Sequence, residues 1–308
     1  MKAAPFAYVR PTRIADAVGE LVRAQEAGGA KVLAGGQSLL PVLAMRLGRP
    51  AVLVDITRID ALDEFAVRDG WLRVGAAVRQ RRVERESGGH VPLLGRALPW
   101  VGHREIRSRG TVCGSVAHAD PSAEMPAVAA CLDAVAEIHG PRGRRELPVR
   151  DLLRGAMTTA LESTEILTAL RYPVRRAGEG VGFAEIARRH GDFALAGVAL
   201  RVRAHDGAVA DATLTAFGVS DRPQVRDVTA HVRDVLTEEA AVHPDGDAEA
   251  MRRLEARLGE ALDDVATDMV TTAGDSSGST EYRRRLVRVL AGRQTLRAWR
   301  TAHEGVAS

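Results

Sequence analysis

Near the start of the chain Ile14, Ala17, Val18, Leu21, Val22, Ala24 and Ala27 recur at helical spacing, and Gly28-Gly29 ends the pattern, which predicts a helix over residues 14–28. Lys31-Val32-Leu33-Ala34 is short, apolar and strand-like, and it runs straight into Gly35-Gly36. Val52 to Ile56 is a second β-rich run and Trp71 to Val74 a third, so residues 1–57 read as a small α/β lobe. Residues 92–139 open as a long loop-like passage rich in Gly, Ser, His and Pro, before Met125 to Ala136 turn helical and then strand-like. Long loops in compact domains tend to carry function.

Pro173 and the segment Arg175-Arg176-Ala177-Gly178-Glu179-Gly180 mark a domain boundary. Beyond it, Ala194 to Arg203 and Ala212 to Val219 pattern as neighbouring strands joined by the turn His205-Asp206-Gly207. Residues 225–270 pattern as helices with charged outer faces, Gly274 to Ser279 as a polar loop, and Tyr282 to Ala298 as a strongly basic helix. The C-terminal third is therefore α+β, with no internal repeat.

The 308 residues suffice for more than one buried core. With 45% hydrophobic and 27% charged residues the composition is that of a globular protein, and no run approaches the roughly 18 apolar residues of a membrane span. The N-terminus meets Pro11 and charges before a signal-peptide core develops, which predicts a cytoplasmic location. Cys113 and Cys131 build neither a disulfide framework nor a metal cluster, so no metal is expected in this chain. The formal charge is only +3, yet the pI is about 9.2, because Lys occurs only at positions 2 and 31 and the other cations are Arg. Aromatics are scarce at 4% and the arginines alternate with acids, which argues against nucleic-acid binding.

Two segments carry candidate chemistry. Ala34-Gly35-Gly36-Gln37-Ser38-Leu39 follows a predicted strand, and glycines let successive N–H groups approach a phosphate oxygen, while Ser38 adds a hydroxyl; alone, the same pattern also suits a plain turn. Gly110-Thr111-Val112-Cys113-Gly114-Ser115 is a second nest of small and hydroxyl residues, with Glu124 downstream. Neither loop has the spacing of a P-loop or a Rossmann fingerprint.

Together the two loops resemble the FAD-binding subunit of the xanthine dehydrogenase and carbon monoxide dehydrogenase family, whose A-G-G-x-S and V-R-N-x-G-T-x-G-G loops grip the FAD diphosphate. Three further stretches are similar to that family in order along nearly the whole chain: Thr159 to Leu167, Phe183 to Ala194 with Arg188, Gly191, Asp192 and Phe193, and Ser279-Thr280-Glu281-Tyr282-Arg283-Arg284. The resemblance implies an α+β fold of the vanillyl-alcohol-oxidase type. It comprises two FAD-binding subdomains, 1–57 and 58–176, and a C-terminal α+β domain, 177–308.

By the same resemblance Val32, Leu33, Ala34, Gly35, Gly36, Gln37, Ser38 and Leu39 wrap the diphosphate, and Thr111, Cys113, Gly114 and Ser115 complete the cradle. Glu124 stands where the family usually has Asp and is expected at sugar or ribityl hydroxyls, His118 lies beside the loop, the Leu167 backbone meets the cofactor, and Val101 and Phe193 approach the isoalloxazine. Gln37 sits where some flavoproteins of this fold carry a flavin-linking His, so FAD is expected to be non-covalent. The implied partners are a molybdopterin-binding large subunit and a [2Fe–2S] small subunit, between which and a terminal acceptor the flavin passes electrons. The alternative is a stand-alone flavoenzyme acting directly on a small organic substrate.

The sequence departs from the family pattern at Cys113, in place of the first glycine of a pair, at Ser108 in place of Asn, and at Ala184 in place of a frequent Lys. Cys113 is either a tolerated small side chain or a reactive thiol. His118 is either an acid–base group or a local hydrogen-bonding residue, and the basic C-terminal helix either docks a partner or is a solvated face.

Overall fold

The computed structural model describes residues 2–240 and 248–304, the side chains of 238–240 and 304 excepted. Two compact units emerge, the first made of residues 1–91, 101–120 and 133–174 and the second of 92–100, 121–132 and 175–308. The segments 92–100 and 121–132 thus pack with the C-terminal part of the chain.

The first unit begins with a parallel sheet ordered β1-β3-β2, formed by β1 (Ala7–Val9), β2 (Ala30–Leu33) and β3 (Val52–Asp55). Helix α1 (Ile14–Ala24) packs on this sheet through Ala17, Val18, Leu21 and Ala24, the buried members of the helical repeat. Burying a side chain such as Leu21 contributes about 2 kcal/mol, so an Asp at that position would strip the helix from the sheet. Helix α2 (Leu39–Ala44) follows the first glycine loop. The unit's second sheet is antiparallel, ordered β4-β5-β10-β6-β7, from β4 (Phe65–Arg68), β5 (Trp71–Gly75), β6 (Val135–Gly140), β7 (Gly143–Pro148) and β10 (Ile166–Pro173). Short helices α3 (Gln80–Glu86), α5 (Arg104–Arg107), α6 (Val112–His118) and α8 (Val149–Leu152) and the small pair β8 (Leu153–Gly155) and β9 (Thr158–Thr159) complete it.

The second unit is one antiparallel sheet, β11 (Glu179–Ile186), β12 (Ala196–His205), β13 (Ala208–Phe217) and β14 (Gln224–Asp227) in that order. The turn between β12 and β13 falls where the sequence places it, with Asp206 and Gly207 at φ 50° and 76°, the left-handed pair that a two-residue hairpin requires. Helices α9 (Thr229–Ala240), α10 (Ala248–Ala261), α11 (Asp263–Met269) and α12 (Thr280–Glu304) gather with the sheet around one apolar core, while α4 (Pro92–Ala97) packs on β11 and α7 (Glu124–Cys131) on β12 and β13. Helix α12 lies backbone to backbone on β11. A Cβ at Gly180 would stand 1.9 Å from the Ala298 carbonyl oxygen, and one at Gly182 2.5 Å from that of Gln294.

One expectation fails. The passage 92–118 is not a long loop but the succession α4, a 3₁₀ turn at Leu98–Trp100, α5 and α6, whereas the helical and then strand-like run expected from Met125 is present as α7 and the start of β6. Segments of four to eight residues are too short to display an apolar period, so their Gly, Pro and Ser read as loop although they serve as starts and stops. Residues 224–227, placed at the edge of a helical region by sequence, form the edge strand β14. Among the described residues no helix is long and apolar enough to cross a membrane.

Candidate cofactor site

In the first unit the two glycine loops touch through their backbones. A Cβ on Gly35 would lie 2.4 Å from the Arg109 carbonyl oxygen and 2.6 Å from Gly110 Cα, so only glycine lets the loops meet. Gly36 adopts φ 74°, and the Gln37 amide donates to the Gly35 carbonyl at 3.0 Å, folding the side chain back on its own loop. Ser38 is the N-cap of α2 and its hydroxyl makes no cap bond, which leaves that hydroxyl for an external group, while the Leu40 N–H is taken by the Gly36 carbonyl at 3.0 Å. Val32 and Leu33 close β2, and Ala34 links it to the loop.

The second loop is held from several sides. The Gln80 N–H donates to the Gly110 carbonyl at 2.8 Å, and the Arg79 guanidinium to the Arg109 carbonyl. Thr111 caps α6, its Oγ1 accepting from the Gly114 N–H at 3.0 Å; a Cβ at Gly114 would sit 2.7 Å from that oxygen. Buried Arg107 pairs with Glu84 at 2.9 Å and donates to the carbonyls of Val101 and Gly102 at 3.1 and 3.2 Å, which fixes the backbone at Val101. Burial alone would raise the Glu84 carboxyl, but Arg107 and Arg81 overcome this and hold it below the usual range.

Cys113 is 2% exposed, with its Sγ 3.3 Å from the Val74 carbonyl oxygen. Burial pushes the thiol up to about 12, so of the two roles the sequence left open the structural one holds: the side chain fills the core and is inert as a nucleophile. His118 ends α6, half-buried; burial lowers its pKa first and Lys31 adds to this, while Asp120 opposes. The imidazole is biased toward the neutral form. Ser115 lies in the first turn of α6.

Leu167 lies at a β-bulge: β10 pairs Leu167 with Ile138 and then Ala169 with Glu137, leaving Thr168 as the extra residue. The Thr168 hydroxyl donates to the Glu137 carbonyl at 2.9 Å. A bulge disrupts the ladder locally and re-aims backbone groups, which is how strands beside active sites present them. Nothing in the sequence pattern announced it.

The second unit carries the other two predicted residues. Glu124 opens α7 and is only 8% exposed. Phe193 is 72% exposed in the turn after β11, beside a cavity of about 650 Å³ whose lining includes Asp192, Leu195, Gly218 and Arg283. Arg283, 4% exposed, ties this region together by donating to the carbonyls of Leu195 and Gly218 at 2.5 and 2.7 Å and pairing with Asp275 at 2.7 Å. The sequence singled out Arg283 only as part of a motif. Its anchoring role comes from residues far away in the chain.

Whether these residues suit a dinucleotide is decided by the paired loops. They bring two helix starts and a Cβ-free contact together with no carboxylate between Ala34 and Ser38 or between Gly110 and Ser115. An anionic diphosphate is the group such a nest accepts.

Residues 4–175 match the FAD binding domain in molybdopterin dehydrogenase, and residues 182–298 the CO dehydrogenase flavoprotein C-terminal domain. The chain belongs to the FAD-binding subunit family of the molybdopterin dehydrogenases. It is 38% identical to caffeine dehydrogenase subunit beta of a Pseudomonas species over 226 residues, covering 72% of this chain and 76% of that one. It is 33% identical to the nicotine 6-hydroxylase medium subunit of Paenarthrobacter nicotinovorans, covering 97% and 99%. The solved structure of reconstituted CO dehydrogenase from Oligotropha carboxidovorans superposes with a TM-score of 0.85 at 30% identity, covering 97% of this chain and 99% of that one. Both glycine loops fall within the residues matched to the FAD binding domain. The departure at Cys113 costs the family cradle nothing sterically, because its side chain points into the core.

Proposed function

We propose that this chain is the FAD-binding, electron-carrying subunit of a molybdopterin-dependent hydroxylase or dehydrogenase, working with a molybdopterin large subunit and a [2Fe–2S] small subunit in the cytoplasm. The observation that carries the reading is the backbone contact of the two glycine loops at Gly35 and Gly110, in a chain that shares nearly its full length with a nicotine 6-hydroxylase medium subunit. Bound FAD supplies the ability to take electrons singly and give them up in pairs.

The protein's part is to bind and orient. Residues Val32 to Leu39 hold the diphosphate from one side through N–H groups and the Ser38 hydroxyl, and the start of α6, with Thr111, Cys113 N–H, Gly114 and Ser115, from the other. His118 lies beside the cradle at the end of α6, where burial favours its neutral form, so it contributes hydrogen bonding rather than charge. The backbone of Leu167, next to the bulge, and the fixed backbone at Val101 meet the flavin, Glu124 takes a cofactor hydroxyl, and Phe193 lies against the isoalloxazine. Gln37 offers an amide engaged with Gly35 and no nucleophile, which supports non-covalent binding. The subdomain division 1–57, 58–176 and 177–308 belongs to the same reading.

The test is purification of the full chain alone and with co-expressed partner subunits. The expected result is a yellow protein whose FAD leaves on denaturation, is unaffected by organic substrate when the chain is alone, and bleaches anaerobically only in the complex. Bleaching of the isolated chain by a small organic substrate would make it a stand-alone flavoenzyme, and a chain that never retains FAD would overturn the assignment.

A further inference from the structure

The cavity of about 650 Å³ lies wholly within the second unit, inside the range of roughly 300–1,000 Å³ that small-molecule sites occupy. Its walls are accessible as they stand. Phe193, 72% exposed, presents a bare aromatic ring there, and such a ring gains by stacking on another planar group. Among the described residues the Arg188 guanidinium and the Ser277 hydroxyl, both on the lining, bond to no other protein group. Both are donors without an acceptor.

The charges on the lining narrow the ligand further. Against Arg188 and Arg283 stand Asp192, Asp221 and Asp275, one negative charge in excess, and Arg283 is already spent on Asp275 and on the carbonyls of Leu195 and Gly218. Neither Asp192 nor Asp221 pairs with a cation among the described residues. A nicotinamide dinucleotide brings a diphosphate, which needs a nest of N–H groups or several arginines, and here one guanidinium faces two open carboxylates. Molecular oxygen needs no chamber of this size. An uncharged planar molecule with carbonyl oxygens suits every group present.

We propose that this cavity receives the terminal electron acceptor, and that the acceptor is an uncharged quinone and not a nicotinamide dinucleotide. This rests on the FAD-binding reading, which lays one face of the Phe193 ring against the isoalloxazine; the other face holds the quinone. Arg188 and Ser277 donate to its carbonyl oxygens, where negative charge gathers as electrons arrive. Each turnover converts the two carbonyls to hydroxyls with two electrons and two protons, which reduced FAD gives up as it returns to the oxidised form.

The experiment is calorimetric titration of the full-length chain, apo and FAD-loaded, with naphthoquinone, its sulfonate and NAD. Naphthoquinone should bind both forms, and the sulfonate and NAD at least about tenfold more weakly. Phe193→Ala is expected to weaken the quinone about fivefold and Arg188→Gln about tenfold, while Asp192→Asn tightens the sulfonate about threefold. In the co-expressed complex the quinone should reoxidise substrate-reduced flavin and NAD should not. A FAD-loaded chain that binds no quinone, NAD bound as tightly as the quinone, or wild-type quinone affinity in both Phe193→Ala and Arg188→Gln overturns the proposal and leaves FAD binding intact. Displacement of the quinone by FAD makes the cavity the flavin's own seat and overturns it too. A chain that binds quinone but never FAD overturns the FAD reading, and with it the acceptor role.

Discussion

The two units carry their candidate cofactor residues by different means. The first uses backbone: Gly35 against Gly110, the Thr111 cap on α6 and the bulge at Thr168. The second uses side chains, an exposed Phe193 and the buried Glu124 at the start of α7. A backbone site is intolerant of added bulk and is bound up with folding, whereas a side-chain site can lose its chemistry while its scaffold persists. Substitutions in the two units should therefore separate loss of binding from loss of stability in opposite ways.

The largest effect is expected at Gly35→Val, whose Cβ would have to occupy space 2.4 Å from the Arg109 carbonyl oxygen. The loops must part, so the purified variant should carry no flavin and unfold with a loss of about 1–3 kcal/mol in a denaturant titration. Flavin content equal to wild type would remove the distinction between the units. In the second unit, burial first and Glu124 second push up the carboxyl of Glu185 on β11, which makes the apo chain sensitive to pH. Because its folded value of about 8 lies above the ordinary 4.5, its contribution to stability is fully present below about 4.5 and is lost as pH climbs to about 8. Thermal melts over that window should show a falling melting temperature that is flatter in Glu185→Gln.

A smaller change tests the cap. Thr111→Val should cost about 1 kcal/mol and weaken FAD, and Thr111→Ser should restore both, since the hydroxyl and not the methyl accepts from Gly114. The smallest stability effect belongs to Phe193→Ala, within about 0.5 kcal/mol of wild type for so exposed a side chain, while the flavin absorbance of the holoprotein shifts. Cys113 gives a check with no substitution at all. A thiol reagent should leave it unmodified at neutral pH until the chain is unfolded, because burial suppresses the thiolate.

The parts of the site that were legible beforehand are those whose chemistry is local. Gly35-Gly36 after an apolar strand and Thr111 ahead of Gly114 announce their roles within a few residues, as does the hairpin at Asp206-Gly207. The burial of Glu185 was not legible, because an acid in an alternating strand reads as a solvent-facing position until the helices α4 and α7 are seen to pack on that sheet. The helices within 92–118 were hidden by their shortness. Arg107 and Arg283 were unremarked as anchors for a different reason: their partners at Val101, Leu195 and Gly218 are carbonyls, which any residue type supplies.

The sequence by itself determined the two glycine nests, the helix and strand alternation around the first of them and the family they belong to, since turn chemistry and periodicity are written in neighbouring residues. Tertiary structure alone decided that the nests meet backbone to backbone, that Cys113 turns inward, that β10 bulges at Thr168, and that Glu185 is buried beside Glu124. Each of those depends on which distant segment excludes water from a group or leaves it unpaired, and no local spacing encodes that.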